Sequence, residues 1–167
     1  IASSIMSKKI AEGTASLVLD VKVGSGAFMK DMDRAEQLAE TLVSLGNDSG
    51  VSTTAFLTDM STPLGRKIGN GLEVEESVEV LSGGGPQDVI ELTVAIAREM
   101  LMLSGIDVDP QENLNNGKAM DKWREMISAQ SGDPDAPMAR AKHSEKVFAD
   151  ADGYLNLDAL SFGMASW

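Results

Sequence analysis

The succession of a strand, a glycine-rich turn, a helix and a second strand constrains the fold more than any other feature of this sequence. Residues 16–23 (SLVLDVKV) are almost continuously apolar, which is typical of a strand covered on both faces. A glycine-rich turn follows at residues 24–26, a helix is predicted over residues 33–45, and residues 51–57 (VSTTAFL) predict a second strand. Crossovers of this kind are nearly always right-handed and parallel, so the sequence predicts a βαβ unit and an α/β fold.

Apolar residues at helical spacing predict further helices around this unit. These cover residues 1–12, 73–81, 86–104, 109–115 and 118–130. Pro86 is expected at the first position of its helix, where the missing N–H costs nothing. The inner stripe of that helix is predicted to consist of Val89, Leu92, Ile96, Met100 and Leu103.

The predicted elements divide into three parts around a central parallel or mixed sheet flanked by helices. Residues 1–12 are predicted to be a helix of a small α-helical lobe, and residues 13–142 an incomplete α/β domain. Residues 143–167 are predicted to begin a C-terminal α+β domain with a hairpin turn at 151–153. The chain opens without an initiator methionine and stops inside an apolar run at residues 161–167, so we interpret it as a fragment.

The formal net charge of −12 and the lack of cysteine exclude several functional classes. A general nucleic-acid binder needs a basic surface to neutralise phosphates, so nucleic acid is not an expected partner. Without cysteine there are no disulfides, zinc–thiolate sites or cysteine nucleophiles, and a cytoplasmic location is expected. The apolar stretches are too short to span a bilayer, so no membrane partner is predicted. His143 is the only histidine and is expected to be exposed in a linker, which leaves no convincing Ser-His-Asp arrangement.

Ser4 and Lys8 are the first candidate site residues, because a spacing of four places them on one face of the first predicted helix. A serine hydroxyl beside an ammonium group can hold a polar ring edge that carries adjacent carbonyl and imide groups. Both side chains could instead be solvated surface residues, and the spacing alone favours that interpretation.

The glycine-rich loop at residues 24–26 is the second candidate. It follows a predicted parallel strand and therefore lies at the carboxyl edge of the sheet, where α/β proteins usually bind ligands. The loop matches neither the Walker phosphate loop nor the dinucleotide fingerprint, and a tight structural turn is an equally good interpretation.

An acidic group at Glu73, Glu75, Glu76 and Glu79 is the third candidate. A solvated helix start, favoured by the helix dipole, would explain it. Alternatively, one of these carboxylates together with loop carbonyls from residues 63–67 could hold a cation through oxygen ligands.

Several segments, in order along the chain, resemble the thymidine and pyrimidine-nucleoside phosphorylases, and most closely their bacterial, actinobacterial members. The segments are residues 3–13 (SSIMSKKIAEG), 19–29 (LDVKVGSGAFM), 57–60 (LTDM), 63–65 (PLG) and 69–74 (GNGLEV), with the Asp152-Gly153 turn. Each segment alone has low specificity, but their order and spacing agree along essentially the whole chain.

The resemblance implies a pentosyltransferase that carries out reversible phosphorolysis of a pyrimidine (deoxy)nucleoside. Thymidine and phosphate would give thymine and 2-deoxy-D-ribose 1-phosphate, with phosphate as co-substrate and no organic cofactor. The resemblance also implies a two-lobed homodimer that closes on its substrates, with a hinge near Gly13.

The resemblance also implies roles for particular residues. In the family a serine and a lysine on this helix grip the pyrimidine, and the matching residues are Ser4 and Lys8. A cation near the base oxygen favours departure of the base as an anion, which would make Lys8 catalytic. Apolar family positions that sandwich the ring match Ile1, Ile5 and Phe28.

Some members of the family bind a potassium ion. The resemblance implies that the ligands here would be the carbonyl oxygens of Leu64 and Lys67 and the carboxylate of Glu76.

The sequence departs from the family pattern in what it lacks. The arginine that also contacts the base, the residues that bind phosphate and the glycine-rich signature of the family are absent. We therefore expect the 167-residue chain to bind phosphate poorly and to be inactive alone.

Two other functions stay open, and preference for thymidine or uridine is not decided. A phosphoribosyltransferase of the same fold would need a magnesium site, but the expected loops carry no paired-aspartate motif. A non-catalytic binding or structural module would be self-contained and would have native ends.

Overall fold

The computed structural model describes residues 1–138, 140–146 and 148, and it arranges them as helices around a pair of strands. In chain order the elements are α1 (Ala2–Ala11), β1 (Ser16–Val23), α2 (Met32–Asp48), β2 (Ser52–Asp59), α3 (Asn70–Leu81), α4 (Gln87–Leu103), α5 (Pro110–Asn115) and α6 (Lys118–Ala129). The predicted α/β class is confirmed.

β1 and β2 are parallel neighbours, and their register runs from the Ser16–Ser52 pair to the Val23–Asp59 pair. Helix α2 connects them, which confirms the predicted βαβ unit. Because the two strands run in the same direction, the loops that follow them emerge side by side at one edge of the sheet. This edge positions part of the candidate site.

Helix α2 has a defined start and fits closely against the sheet. The Asp31 side chain accepts a hydrogen bond from the Arg34 backbone N–H at 3.0 Å, which satisfies one unpaired donor of the first turn. Near the end of the helix, a Cβ atom on Gly46 would overlap the Thr53 side chain of β2. Helix and strand can therefore approach closely only because residue 46 has no side chain.

The core beneath α2 also fixes the first helix. Its buried members are Met6, Val21, Val23, Ala35, Ala39 and Leu42. Met6 of α1 is only 1% exposed, so α1 is held against β1 and α2 through this side chain. The boundary predicted between residues 1–12 and 13–142 stays a prediction.

A second core joins the later helices. Val80 of α3, Val94 of α4 and Leu114 of α5 are buried together, and Ala119 of α6 packs against them. Helix α4 also contacts β1 and β2. The acidic helix α3 is thereby attached to the same body as the sheet.

The predicted inner stripe of α4 is wrong in part. Met100 is 55% exposed, whereas Val94, outside the predicted stripe, is buried. Apolar residues occupy most of the circumference of this helix, so periodicity alone does not identify the buried face. Pro86 is the N-cap, with extended backbone (φ −69°, ψ 139°), and not the first helical residue.

The C-terminal predictions lie mostly beyond the described part of the chain. The hairpin turn at 151–153 and most of the segment 143–167 fall outside the described residues. His143 is described and is exposed, as predicted. Among the described residues, no helix combines the length and apolar character needed to cross a membrane.

Candidate functional site

Four of the predicted site residues lie along one side of the first helix. At 3.6 residues per turn, Ile1, Ser4, Ile5 and Lys8 fall within an arc of roughly 100°, and buried Met6 lies on the other side. Ser4 and Lys8 are exposed, and neither side chain pairs with another described residue. Both polar groups are therefore free to contact a ligand.

Ile1 and Phe28 line the same groove, which has a volume of about 510 Å³. The start of α1, the end of the loop after β1 and the first half of α2 form its walls. Phe28 is 76% exposed and Ile1 is 63% exposed, so a flat apolar ring could cover both side chains. The groove does not include Ser4, Ile5 or Lys8, and Ile5 packs partly buried against the core.

Backbone hydrogen bonds hold closed the short loop that carries Phe28. The Gly24 N–H donates to the Met29 carbonyl at 3.0 Å, and the Gly26 N–H donates to the Met60 carbonyl at 2.9 Å. The Met60 N–H in turn donates to the last carbonyl of β1 at 2.7 Å. The glycine-rich loop is therefore a tight turn, and it also presents an aromatic side chain to the groove.

A polar cluster that the sequence does not predict lies near the carboxyl ends of the two strands. Lys22 and Thr58 are register partners. Asp20 accepts a hydrogen bond from the Thr58 hydroxyl and pairs with the Lys22 ammonium at 2.7 Å. No signal in the sequence marks this cluster, because it depends on the register between two separate strands.

The carboxylate of Glu76 is buried beneath the loop that precedes α3. Glu76 is 5% exposed, and its Oε1 accepts a hydrogen bond from the Arg66 backbone N–H at 2.9 Å. A Cβ atom on Gly65 would overlap the Glu76 Oε2, so this loop can approach the carboxylate only because residue 65 is glycine. Leu64 and Lys67 belong to the same loop. The described residues hold no cluster of acidic or histidine side chains suited to a metal ion, so a cation here would need backbone carbonyls as ligands.

The side chain of Lys67 pairs with two other carboxylates. Its Nζ lies 3.3 Å from the Glu75 Oε2 and 3.7 Å from the Glu79 Oε2. Arg140 also binds Glu75, through both terminal guanidinium nitrogens, one of them at 2.9 Å. The hydrogen bond from Arg140, and after it the one from Lys67, lowers the pKa of Glu75, and Glu75 raises the pKa of Arg140. Among the described residues, no basic side chain pairs with Glu76 in the same way.

Comparison with known proteins gives one family and a consistent set of relatives. The model of the family described as "Glycosyl transferase family, a/b domain" matches residues 2–124. Thymidine phosphorylase of Mycobacterium tuberculosis (strain CDC 1551 / Oshkosh) is 55% identical over 169 residues, which cover 100% of this chain and 40% of the relative.

Two further relatives carry a related name. Pyrimidine-nucleoside phosphorylase of Staphylococcus epidermidis (strain ATCC 12228 / FDA PCI 1200) is 44% identical over 179 residues, and that of Staphylococcus aureus (strain USA300) is 41% identical over 179 residues. Each alignment covers 99% of this chain and 41% of the relative. The chain thus spans about two fifths of the length of the curated relatives it matches.

Proposed function

The chain belongs to the glycosyl transferase family with this α/β domain, and on that premise we propose that the full-length protein is a pyrimidine-nucleoside phosphorylase. The proposed reaction converts thymidine and phosphate into thymine and 2-deoxy-D-ribose 1-phosphate, or a related pyrimidine nucleoside into the corresponding products. The names of the relatives, thymidine phosphorylase and pyrimidine-nucleoside phosphorylase, support this class of reaction.

One observation in the structure carries the proposal. The exposed groove that contains Phe28 has both apolar and charged walls and begins at Ile1, and Ile1 starts the strip of α1 on which Ser4 and Lys8 are free. A pyrimidine has two apolar faces and a polar edge of carbonyl and imide groups. Ile1 and Phe28 would cover the faces, while Ser4 and Lys8 would contact the edge.

The chemistry gives Lys8 the central role. A phosphate oxygen bonds to the anomeric carbon of the sugar as the bond from that carbon to the base nitrogen breaks. The electron pair of the broken bond stays with the base, so negative charge grows on the base oxygens. The Lys8 ammonium would stabilise that charge more in the transition state than in the bound nucleoside. The released base then takes a proton from solvent.

A potassium ion is part of the proposal, with the Leu64 and Lys67 carbonyls and the Glu76 carboxylate as ligands. Glu76 fits this role because a buried carboxylate without a basic partner is costly unless a cation or hydrogen bonds compensate it. Oxygen ligands of these types suit a hard cation. The ion would stabilise the loop over α3 and take no direct part in bond breaking.

A homodimeric state, a cytoplasmic location and closure of two lobes about a hinge near Gly13 also remain proposals. They come from the resemblance to the family. Size-exclusion chromatography with light scattering tests the dimeric state. Small-angle X-ray scattering with and without substrates tests the closure of the two lobes.

Phosphorolysis of thymidine and of uridine by the full-length protein tests the proposed function. Free base is followed by ultraviolet absorbance, with phosphate and without it. Phosphate-dependent base release supports the proposal, and failure to release base from either nucleoside overturns it. Transfer from phosphoribosyl diphosphate to a free base, with magnesium, would identify the phosphoribosyltransferase alternative. The same assay on the 167-residue chain tests its predicted inactivity.

A further inference from the structure

The loop over Glu76 brings a competing cation to the proposed potassium site. Lys67 would offer its carbonyl oxygen to the ion, but the same residue also carries an ammonium group. The Arg66 backbone N–H contacts the Glu76 carboxylate at 2.9 Å, and Lys67 is the next residue along the chain. A buried carboxylate without a basic partner favours a cation beside it, and the Lys67 side chain is attached one residue from this contact.

The observed pairing is different. The Lys67 Nζ contacts the Glu75 Oε2 at 3.3 Å and the Glu79 Oε2 at 3.7 Å, and it does not pair with Glu76. Glu75 and Glu79 are four residues apart and lie on one face of α3. Glu76 lies about 100° away from Glu75 around the helix and is buried. Half-buried Glu75 and exposed Glu79, which lie about 100° and about 60° from Glu76 around α3, thus hold the ammonium group away from the buried carboxylate.

Arg140 fixes the orientation of the first of these carboxylates. One guanidinium nitrogen binds the Glu75 Oε2 at 2.9 Å, and that is the oxygen that also contacts Lys67. A two-point contact between guanidinium and carboxylate restricts rotation of the carboxylate. Glu75 is therefore held in position to receive Lys67, although each ion pair is partly exposed and adds little to overall stability.

We propose that Glu75, oriented by Arg140, and Glu79 are positioning residues that keep the Lys67 ammonium out of the cation site at Glu76. This inference rests on the potassium ion of the proposed function. Without the two carboxylates, the Lys67 ammonium turns to Glu76 and replaces the ion with a tethered charge. Glu75, Arg140 and Glu79 thereby determine whether the Glu76 carboxylate binds a free monovalent cation or the Lys67 ammonium.

The test measures potassium binding to the full-length protein from the rise in Tm with KCl, with choline chloride holding the ionic strength constant. We expect the Glu75→Gln/Glu79→Gln variant to show an apparent potassium Kd at least fivefold weaker than that of the wild type. Adding Lys67→Met to this variant restores the wild-type response, whereas Lys67→Met alone changes it little. The matched control is Glu12→Gln/Glu125→Gln, which removes two carboxylates from other exposed ion pairs and keeps the wild-type response.

The wild type, Lys67→Met, Glu75→Gln/Glu79→Gln and the triple variant form a thermodynamic cycle that separates repositioning of Lys67 from simple charge removal. If Lys67→Met changes the potassium Kd by the same factor in both backgrounds, only long-range charge is acting and the proposal fails. It also fails if Glu75→Gln/Glu79→Gln binds potassium as the wild type does. A wild type whose Tm does not respond to potassium overturns the cation site itself and this inference with it. Phosphorolysis by the same preparation reports separately on the proposed reaction.

Discussion

Gly24 packs directly against Ser61, and this contact joins the loop after β1 to the loop after β2. A Cβ atom on Gly24 would overlap the Ser61 Oγ and lie 2.7 Å from the Ser61 backbone nitrogen. The φ angle of Gly24 is 132°, a backbone conformation that residues with side chains rarely adopt. Since the Gly24 loop carries Phe28, this one position links the sheet edge to the groove.

Replacing Gly24 with alanine should destabilise the protein and weaken nucleoside binding. The unfavourable backbone conformation costs about 1–2 kcal/mol and the overlap with Ser61 a further ~1–3 kcal/mol. Gly50→Ala is the control, because Gly50 also has a positive φ, of 78°, but has open space around its Cβ position. Urea denaturation should show the larger loss for Gly24→Ala; equal losses would mean that the Ser61 contact is unimportant.

Phe28→Ala should raise the KM for thymidine and uridine while leaving stability nearly unchanged. Stacking of a base on an aromatic ring contributes about 1–3 kcal/mol, which corresponds to roughly 5–150-fold in KM. Phe28 is 76% exposed, so its truncation removes little buried area from the free protein, and the Tm should stay close to that of the wild type. Met102→Ala removes another side chain that is 63% exposed, and it should change neither quantity. An unchanged KM in Phe28→Ala would remove this residue from the site.

The sequence predicts the elements of the fold well because their signals are local. β1 is found at the predicted residues 16–23, since an apolar run bounded by glycines is informative by itself. The buried face of α4 is predicted less well, with Met100 exposed and Val94 buried, because a helix that is apolar almost all round has no preferred side. Only tertiary packing decides between these faces.

The candidate site likewise has one part that the sequence predicts and another that it does not. The strip of Ser4 and Lys8 follows from helical spacing, and the resemblance then suggests its chemistry. No local sequence pattern distinguishes buried Glu76 from exposed Glu79, and none predicts that Arg140 pairs with Glu75, which is 65 positions away in the sequence. Such contacts depend on where the loops pack against the rest of the protein. Residue spacing in a single sequence does not predict this packing.

Met6→Ala should loosen α1 and lower both stability and turnover. Met6 is 1% exposed in the core shared with α2, so truncation should cost about 2–5 kcal/mol. Ile10→Ala on the same helix is the control, because Ile10 is already 36% exposed and should cost less than about 1.5 kcal/mol. Denaturant titration gives the stabilities, and kcat reports whether the strip of α1 has moved. If Met6→Ala were neutral, α1 would not be anchored at this point.

Gly65→Ala should impair the proposed potassium site. The added methyl group would overlap the Glu76 Oε2, so either the loop or the carboxylate must move. Disturbing the groups that support a metal ligand typically weakens metal affinity by about 10–100-fold. Thermal unfolding over a series of KCl concentrations measures the change, with Gly50→Ala as a control that should keep the wild-type response. A wild-type response in Gly65→Ala would place the ion elsewhere.

Lys8→Ala should lower turnover in the phosphorolysis assay more than it weakens nucleoside binding. Removing one group that stabilises developing negative charge typically reduces kcat by about 10²–10³-fold. Lys9→Ala is the matched control on the next residue, because the Lys9 ammonium is already paired with Glu12 at 3.2 Å. Its kcat should stay within about threefold of the wild type, since exposed ion pairs of this kind contribute little. Comparable losses in both variants would indicate a general effect of charge on α1.

The leaving group provides a sharper form of the same prediction. A base that is more acidic than thymine, such as 5-fluorouracil, carries its negative charge more easily and needs less help from a cation. The loss of kcat in Lys8→Ala should therefore be smaller with 5-fluoro-2′-deoxyuridine than with thymidine, by a factor that single-turnover measurements resolve. A residue that only held the ring in place would show the same loss with both nucleosides. Equal losses would thus leave Lys8 as a binding residue and would remove its role in stabilising the departing base.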